Sequence, residues 1–180
     1  MLRWIFGGLL MLSVAACNGA SDLQKAAVPL GDFKLGHNIV VAPKVAKGPL
    51  SRPATEAELT AALKAVISER FDRYDGENLY HFGVSVEGYV LAAPGIPLVF
   101  APKSIMILNV TVWDDAANAK LNAEPHQITV FESLGKGPVV GSGYTQTAEQ
   151  QLRNLSQNAS KSIERYLVKQ KREQSWFAAK

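Results

Sequence analysis

The residues able to do chemistry are few. Cys17 is the single cysteine of the 180-residue chain, and there are three histidines, His37, His81 and His126. None of the histidines stands at metal-ligand spacing to another histidine or to a carboxylate on a helix, so the sequence gives no reason to place a metal. Asp114-Asp115 is an acidic pair next to Trp113 at the end of a strand-like run. Such a pair can bind a cation or divide acid and base roles, but before Ala116-Ala117-Asn118 it reads more simply as strand-stopping turn residues. Gly141-Ser142-Gly143 precedes a helix start without the spacing or the lysine of a phosphate-cradling loop. No serine sits in a G-x-S-x-G elbow. The sequence therefore predicts neither enzyme activity nor a cofactor.

Cys17 stands apart because of what precedes it. Met1-Leu2-Arg3 is short and basic, and Trp4 to Val14 is an uncharged stretch of 11 residues. That stretch is well short of the ~20 residues a membrane-spanning helix needs, and the order is that of an export signal. Val14-Ala15-Ala16-Cys17 resembles the lipobox of bacterial lipoproteins. The resemblance implies removal of residues 1–16, a thioether-linked diacylglycerol on Cys17 and acylation of the new amino terminus. Several acyl chains anchor stably where one is marginal. Asn18, where an aspartate would favour inner-membrane retention in enteric bacteria, implies the outer membrane. With Cys17 acylated no thiol remains for a disulfide, so an exported domain must rest on its apolar core.

The formal charge of +3 is too weak and too scattered for a nucleic-acid partner. Lys169, Lys171 and Arg172 suit the C-terminal end of a helix dipole. From Gly88 to Pro102 there is no charge, and residues 92–102 combine three prolines and a glycine with apolar side chains. Proline excludes a regular helix or central strand there. The stretch is expected to be an apolar connection, with Ile96, Leu98, Val99 and Phe100 as candidate partner contacts if exposed. Trp176 and Phe177, in a tail of residues 173–180 without periodic context, form a second, weaker candidate. The alternative for the tail is packing against the domain.

These segments need a scaffold. Residues 17–36, with Gly19, Pro29, Gly31 and Gly36, read as a flexible tether, and residues 37–172 as a single domain. His37 to Val45 is expected as the first strand. Thr55-Glu56-Ala57-Glu58 is a capping box, opening a helix with Leu59, Ala62, Leu63, Val66, Ile67, Phe71 and Tyr74 on one stripe. Tyr80 to Leu91, Ser104 to Asp114 and Gln127 to Ser133 alternate as half-buried strands, and Pro138 to Ser142 adds a possible short one. Thr147-Ala148-Glu149-Gln150 opens a second helix, with Leu152, Leu155, Ala159, Ile163, Tyr166 and Leu167 on its stripe.

The expected fold class is α+β: a two-layer sandwich with a mostly antiparallel sheet of 4–5 strands and two long amphipathic helices on one face. The opening strand–helix–strand order allows a parallel first strand. The capped first helix, the strand from Ser104 to Asp114 and the ending Gly141-Ser142-Gly143-Tyr144-Thr145 … Leu152 … Asn158-Ala159 … Ile163 … Leu167 resemble small envelope lipoproteins of Gram-negative bacteria. In style these domains are similar to those of outer-membrane assembly and export lipoproteins. The expectation is a non-enzymatic, lipid-anchored, periplasm-facing accessory protein, with the membrane and an envelope protein as partners. The alternative is a small-molecule or lipid-binding module with an apolar cleft between sheet and helix.

Overall fold

The computed structural model describes residues 22–93, 104–132 and 146–178. Cys17, Ile96, Leu98, Val99, Phe100, the Gly141-Ser142-Gly143 turn and the short strand expected from Pro138 to Ser142 lie outside these residues. The elements are β1 (Lys34–Val41), β2 (Ala46–Lys47), α1 (Glu56–Phe71), β3 (Leu79–Val90), β4 (Ile105–Asp114), β5 (Ala119–Lys120), β6 (His126–Phe131) and α2 (Ala148–Gln174).

The strands form one mixed sheet. β3 and β4 are its centre; β1 and β2 pair with β3 in parallel along its outer side, and β5 and β6 pair with β4 in antiparallel. The sheet is thus α+β as expected, but mixed, because α1 returns the chain between β1 and β3 in the manner that parallel pairing requires. Regular pairing of the first strand is broken before Ala46, with Pro43 in the gap; proline has no N–H to give a ladder.

Both capping boxes are present. The Thr55 hydroxyl accepts from the Glu58 amide and the Glu58 carboxylate accepts from the Thr55 amide; Thr147 and Gln150 repeat the arrangement. Each satisfies amides at a helix start that have no intrahelical partner. Downstream, Leu59, Leu63, Ile67 and Phe71 of α1 and Leu155, Ala159, Ile163 and Leu167 of α2 are fully buried in one core with Met106, Leu108, Val110 and Val112 of β4, α1 packing on β1 and α2 on β4 and β6.

β3 departs from its sequence pattern. Phe82, Val84 and Val86 point into the core, but a bulge between Val86 and Gly88 reverses the phase. As a result Tyr89, not Val90, is buried beyond it. An extra residue in one strand of a pair moves every later side chain to the other face. Tyr89 then uses its hydroxyl on the backbone of Ala54, accepting from its N–H at 2.9 Å and donating to its C=O at 3.0 Å.

Two expectations for the ends are corrected. From Asp22 onward, the segment expected as a tether is packed against the domain. Leu30 and Phe33 are buried, and the Phe33 ring contacts those of Phe71, Tyr74, Tyr80, Phe82 and Phe177. Trp176 and Phe177, candidates for partner contact, are only 8% and 3% exposed. The α2 end turns through Ser175 at φ +57°, and the tail folds back so that Phe177 meets Tyr80 at 4.7 Å and Phe33 at 5.0 Å between ring centroids. These aromatic side chains serve the core and are not offered to a partner.

Candidate functional site

A cleft of about 520 Å³ lies between α1, from Glu58 to Glu69, and the first turns of α2. It is within the range of small-molecule sites. Ala62, Ala65 and Val66 on α1 and Ala148 and Leu152 on α2 make its walls, with Pro53, Ala54 and Leu91 at its end near the sheet. The small side chains of α1 are what leave the space. Glu58, Glu69 and Glu149 bring negative charge to it and Arg153 positive charge. The Glu58 carboxyl is held below its usual range because the Thr55 amide and hydroxyl donate to it, so it stays ionised near neutral pH.

The sequence candidates fall elsewhere. His37 and His81 come together on the sheet face that carries no helices, with ring centroids 4.8 Å apart, and Asp115 joins them. His81 Nδ1 accepts from the His37 backbone N–H at 2.8 Å, which leaves the proton on Nε2, 2.9 Å from Asp115 Oδ1. With both ring nitrogens engaged, His81 has no free lone pair for a metal or a substrate proton. Asp114 is buried and accepts from the Ala117 amide through Oδ1 at 3.0 Å. The two acids of the pair therefore point to different structural tasks, as strand-ending turn residues do.

His126 lies apart, stacked on Tyr166 with centroids 3.9 Å apart. Burial, and secondarily the Lys169 charge, holds its pKa below the usual histidine value. The shallow depression around it, between β6 and α2, is bordered by Ser162, Arg165 and Lys169. Among the described residues no group of three or more His, Cys, Asp and Glu side chains is placed to hold a metal ion.

Sequence reasoning did not single out the most elaborate polar constellation. Arg70, 2% exposed, donates to Ser160 Oγ at 3.1 Å, to Glu164 Oε2 at 3.0 Å and to Asp22 Oδ2 at 2.9 Å. Tyr74 donates to Glu164 Oε1 at 2.9 Å, and burial together with that carboxylate pushes the Tyr74 pKa up. Lys161 pairs with Asp22 Oδ1 at 3.1 Å, while Arg73 donates to the carbonyls of Leu23 and Lys25. Burial pushes the Asp22 carboxyl up, but hydrogen bonds and charges from Lys161 and Arg70 outweigh it and hold the group below its ordinary value. The network fastens three separate pieces of chain to one another. The signal for it in the sequence is Arg70 falling in the apolar stripe of α1, between Ile67 and Phe71.

No protein-family model matches the chain, and no curated protein matches it. Among solved structures, a provisionally assigned lipoprotein from Caulobacter crescentus is similar at 12% identity and TM-score 0.40, covering 76% of this chain and 91% of its own. A Xanthomonas campestris protein from a family of unknown function matches at 13% identity and TM-score 0.42, covering 83% and 94%. A minor lipoprotein from Acinetobacter baumannii matches at 15% identity and TM-score 0.30, covering 72% and 93%. These likenesses are too distant to carry a function across.

Proposed function

We propose that the chain is a lipid-anchored envelope protein, held by acylated Cys17, whose domain is a non-enzymatic accessory module that binds a protein partner. The observation that carries this reading is Val14-Ala15-Ala16-Cys17 directly after a short apolar leader. No helix among the described residues is long and apolar enough to cross a membrane, so acyl chains are a natural means of attachment. Asn18 favours the outer membrane.

The partner surface that the fold favours is the helix-free face of the sheet and its β1 edge. Ile39 and Val41 are 57% and 42% exposed on the same side of β1, and Phe131 is 55% exposed on β6 at the opposite edge of the sheet; exposed apolar groups of this kind are candidates for contact. The second reading, a small apolar ligand, is favoured by the cleft between α1 and α2, which differs from the sheet–helix cleft expected from sequence.

Intact-mass analysis of the mature membrane-extracted protein tests the anchor. The expected product begins at Cys17 and carries acyl chains, and Cys17→Ser abolishes membrane association. An unmodified residue 17, or a retained leader, overturns the reading. For the module, an Ile39→Asp, Phe131→Asp variant that folds and remains anchored is expected to lose crosslinking to its envelope partner. Unchanged crosslinking overturns the assigned surface, and lipid co-purifying stoichiometrically, lost in Ala62→Trp, favours the second reading.

A further inference from the structure

The described chain begins at Asp22, and Asp22 does not hang free. Its carboxylate lies across α1 and α2, bonded to Arg70 at 2.9 Å and to Lys161 at 3.1 Å. The next residues are clamped by Arg73 through the Leu23 and Lys25 carbonyls. Farther along, Lys171 donates to the Pro29 carbonyl at 3.0 Å, and the Asp32 amide donates to the Phe177 carbonyl at 2.9 Å. The arm is thus fixed at several points from its first described residue to the start of β1.

Only five peptide units separate Asp22 from Cys17. Fully extended they reach about 18 Å, so whatever holds Cys17 must lie within that distance of the helix layer. Asp22 docks on the helix layer, so the helix face is the nearer to the anchor, and the helix-free sheet face lies farther by the thickness of that layer, about 10 Å. Resting on the Cys17 anchor proposed above, we infer that the docked arm orients the domain, setting the outer face of α2 toward the bilayer and the helix-free sheet face away from it.

The charge on the helix face agrees with that occupant. Arg165 and Arg172 stand seven residues apart, which places them on one side of a helix, the side on which Lys161 holds Asp22. Arg165 and Arg172 are exposed beside the Asp22 docking point and farther along the same side. Glu164, the nearest acid on α2, is 8% exposed and already paired with Arg70; Glu173 approaches both Lys169 and Arg172 at 3.9 Å. A surface of anionic headgroups attracts such a face. The orientation leaves Ile39, Val41 and Phe131 free to meet a partner in the periplasm.

The test uses the full acylated protein in vesicles of phosphatidylethanolamine and phosphatidylglycerol that contain a nickel-chelating lipid. Spin labels are placed singly at Arg165→Cys and Ile39→Cys. Flotation with the vesicles and the mass of the Cys17 peptide establish the anchor first; failure at this step overturns the anchor reading and with it the premise of the orientation. With anchoring established, nickel relaxation is expected to be several-fold stronger at 165 than at 39. Equal or reversed relaxation in the anchored protein overturns the orientation while leaving the anchor intact. Inserting twenty Gly-Ser residues between Asn18 and Gly19 is expected to remove the difference, and an unchanged difference overturns the arm as its cause.

Discussion

Arg70 on α1 and Glu164 on α2 face each other at 3.0 Å across the helix interface, with side chains 2% and 10% exposed. The guanidinium also reaches Ser160 and Asp22, so one side chain joins both helices and the N-terminal arm. An apolar residue at position 70 would fill the helix interface, but it would leave Asp22 with Lys161 alone. Buried ion pairs are weak sources of net stability, and their value here lies in specifying where the arm docks.

Removing one partner leaves the other charge buried. Arg70→Ala is expected to destabilise the domain by about 3–5 kcal/mol, read from urea unfolding. The paired exchange Arg70→Met, Glu164→Leu is expected to recover much of that loss and still loosen the arm at Asp22. A loss below about 1 kcal/mol for Arg70→Ala would show a pair worth no more than an exposed one.

Gly31 carries the second constraint on the arm. It has φ +96°, and a Cβ there would run into the Phe177 carbonyl, the same carbonyl that accepts from Asp32. Gly31→Ala therefore strains the backbone and pushes the C-terminal tail outward. A cost of roughly 1–3 kcal/mol is expected. Phe177→Ala should cost about 3–5 kcal/mol, because it removes a buried ring packed edge-on against both Phe33 and Tyr80. A Gly31→Ala protein with wild-type thermal stability would mean that the arm and tail do not meet as described.

The sequence made the regular elements legible where local rules dominate. Thr55 and Thr147 announced two helices through capping boxes, and the alternation of Met106, Leu108, Val110 and Val112 announced a central strand; all four side chains are buried. It failed where distant chain decides. Phe33 stands in a glycine- and proline-bearing stretch without a period, and its burial depends on Phe71, Tyr80 and Phe177 arriving from far along the chain. Trp176 and Phe177 lack a periodic context for the same reason. The bulge after Val86 has no local marker beyond Gly88, so Tyr89 and Val90 were expected on each other's faces. Of the candidate site residues, His37, His81 and Asp115 were visible as types but not as a cluster, because three different segments meet there.

His126 gives a pH dependence. Its pKa in the folded protein is depressed, chiefly by burial and then by Lys169, from an ordinary value of 6.5. The unfolded chain therefore takes up the proton first as pH falls. This contribution to stability is fully present above the ordinary value and declines as pH drops through it, until the folded group also titrates. The urea midpoint is expected to fall between pH 7.5 and pH 5.5, and to fall less in His126→Gln. Identical falls in both proteins would show that the imidazole on Tyr166 titrates alike folded and unfolded.

Asp22 gives the opposite end of the scale and reports on the arm itself. Its folded pKa is lowered from an ordinary 3.8, because the bonds from Lys161 and Arg70 outweigh desolvation. For a depressed carboxyl, the stabilising contribution is present above the unfolded value and is lost as pH falls through the folded one. The group is 36% exposed on its side chain, so solvent screens the effect, and it should act locally on the arm. The Lys25 amide, which donates to the Asp22 carbonyl at 3.1 Å, is a suitable reporter. Its hydrogen-exchange protection, corrected for the intrinsic rate, is expected to drop as pH falls below about 4. In Asp22→Asn it should already be low at neutral pH, since the amide cannot replace the charge facing Arg70 and Lys161. Protection at Lys25 that survives both acid and the substitution would mean that the carboxylate is not what holds the arm to the helices.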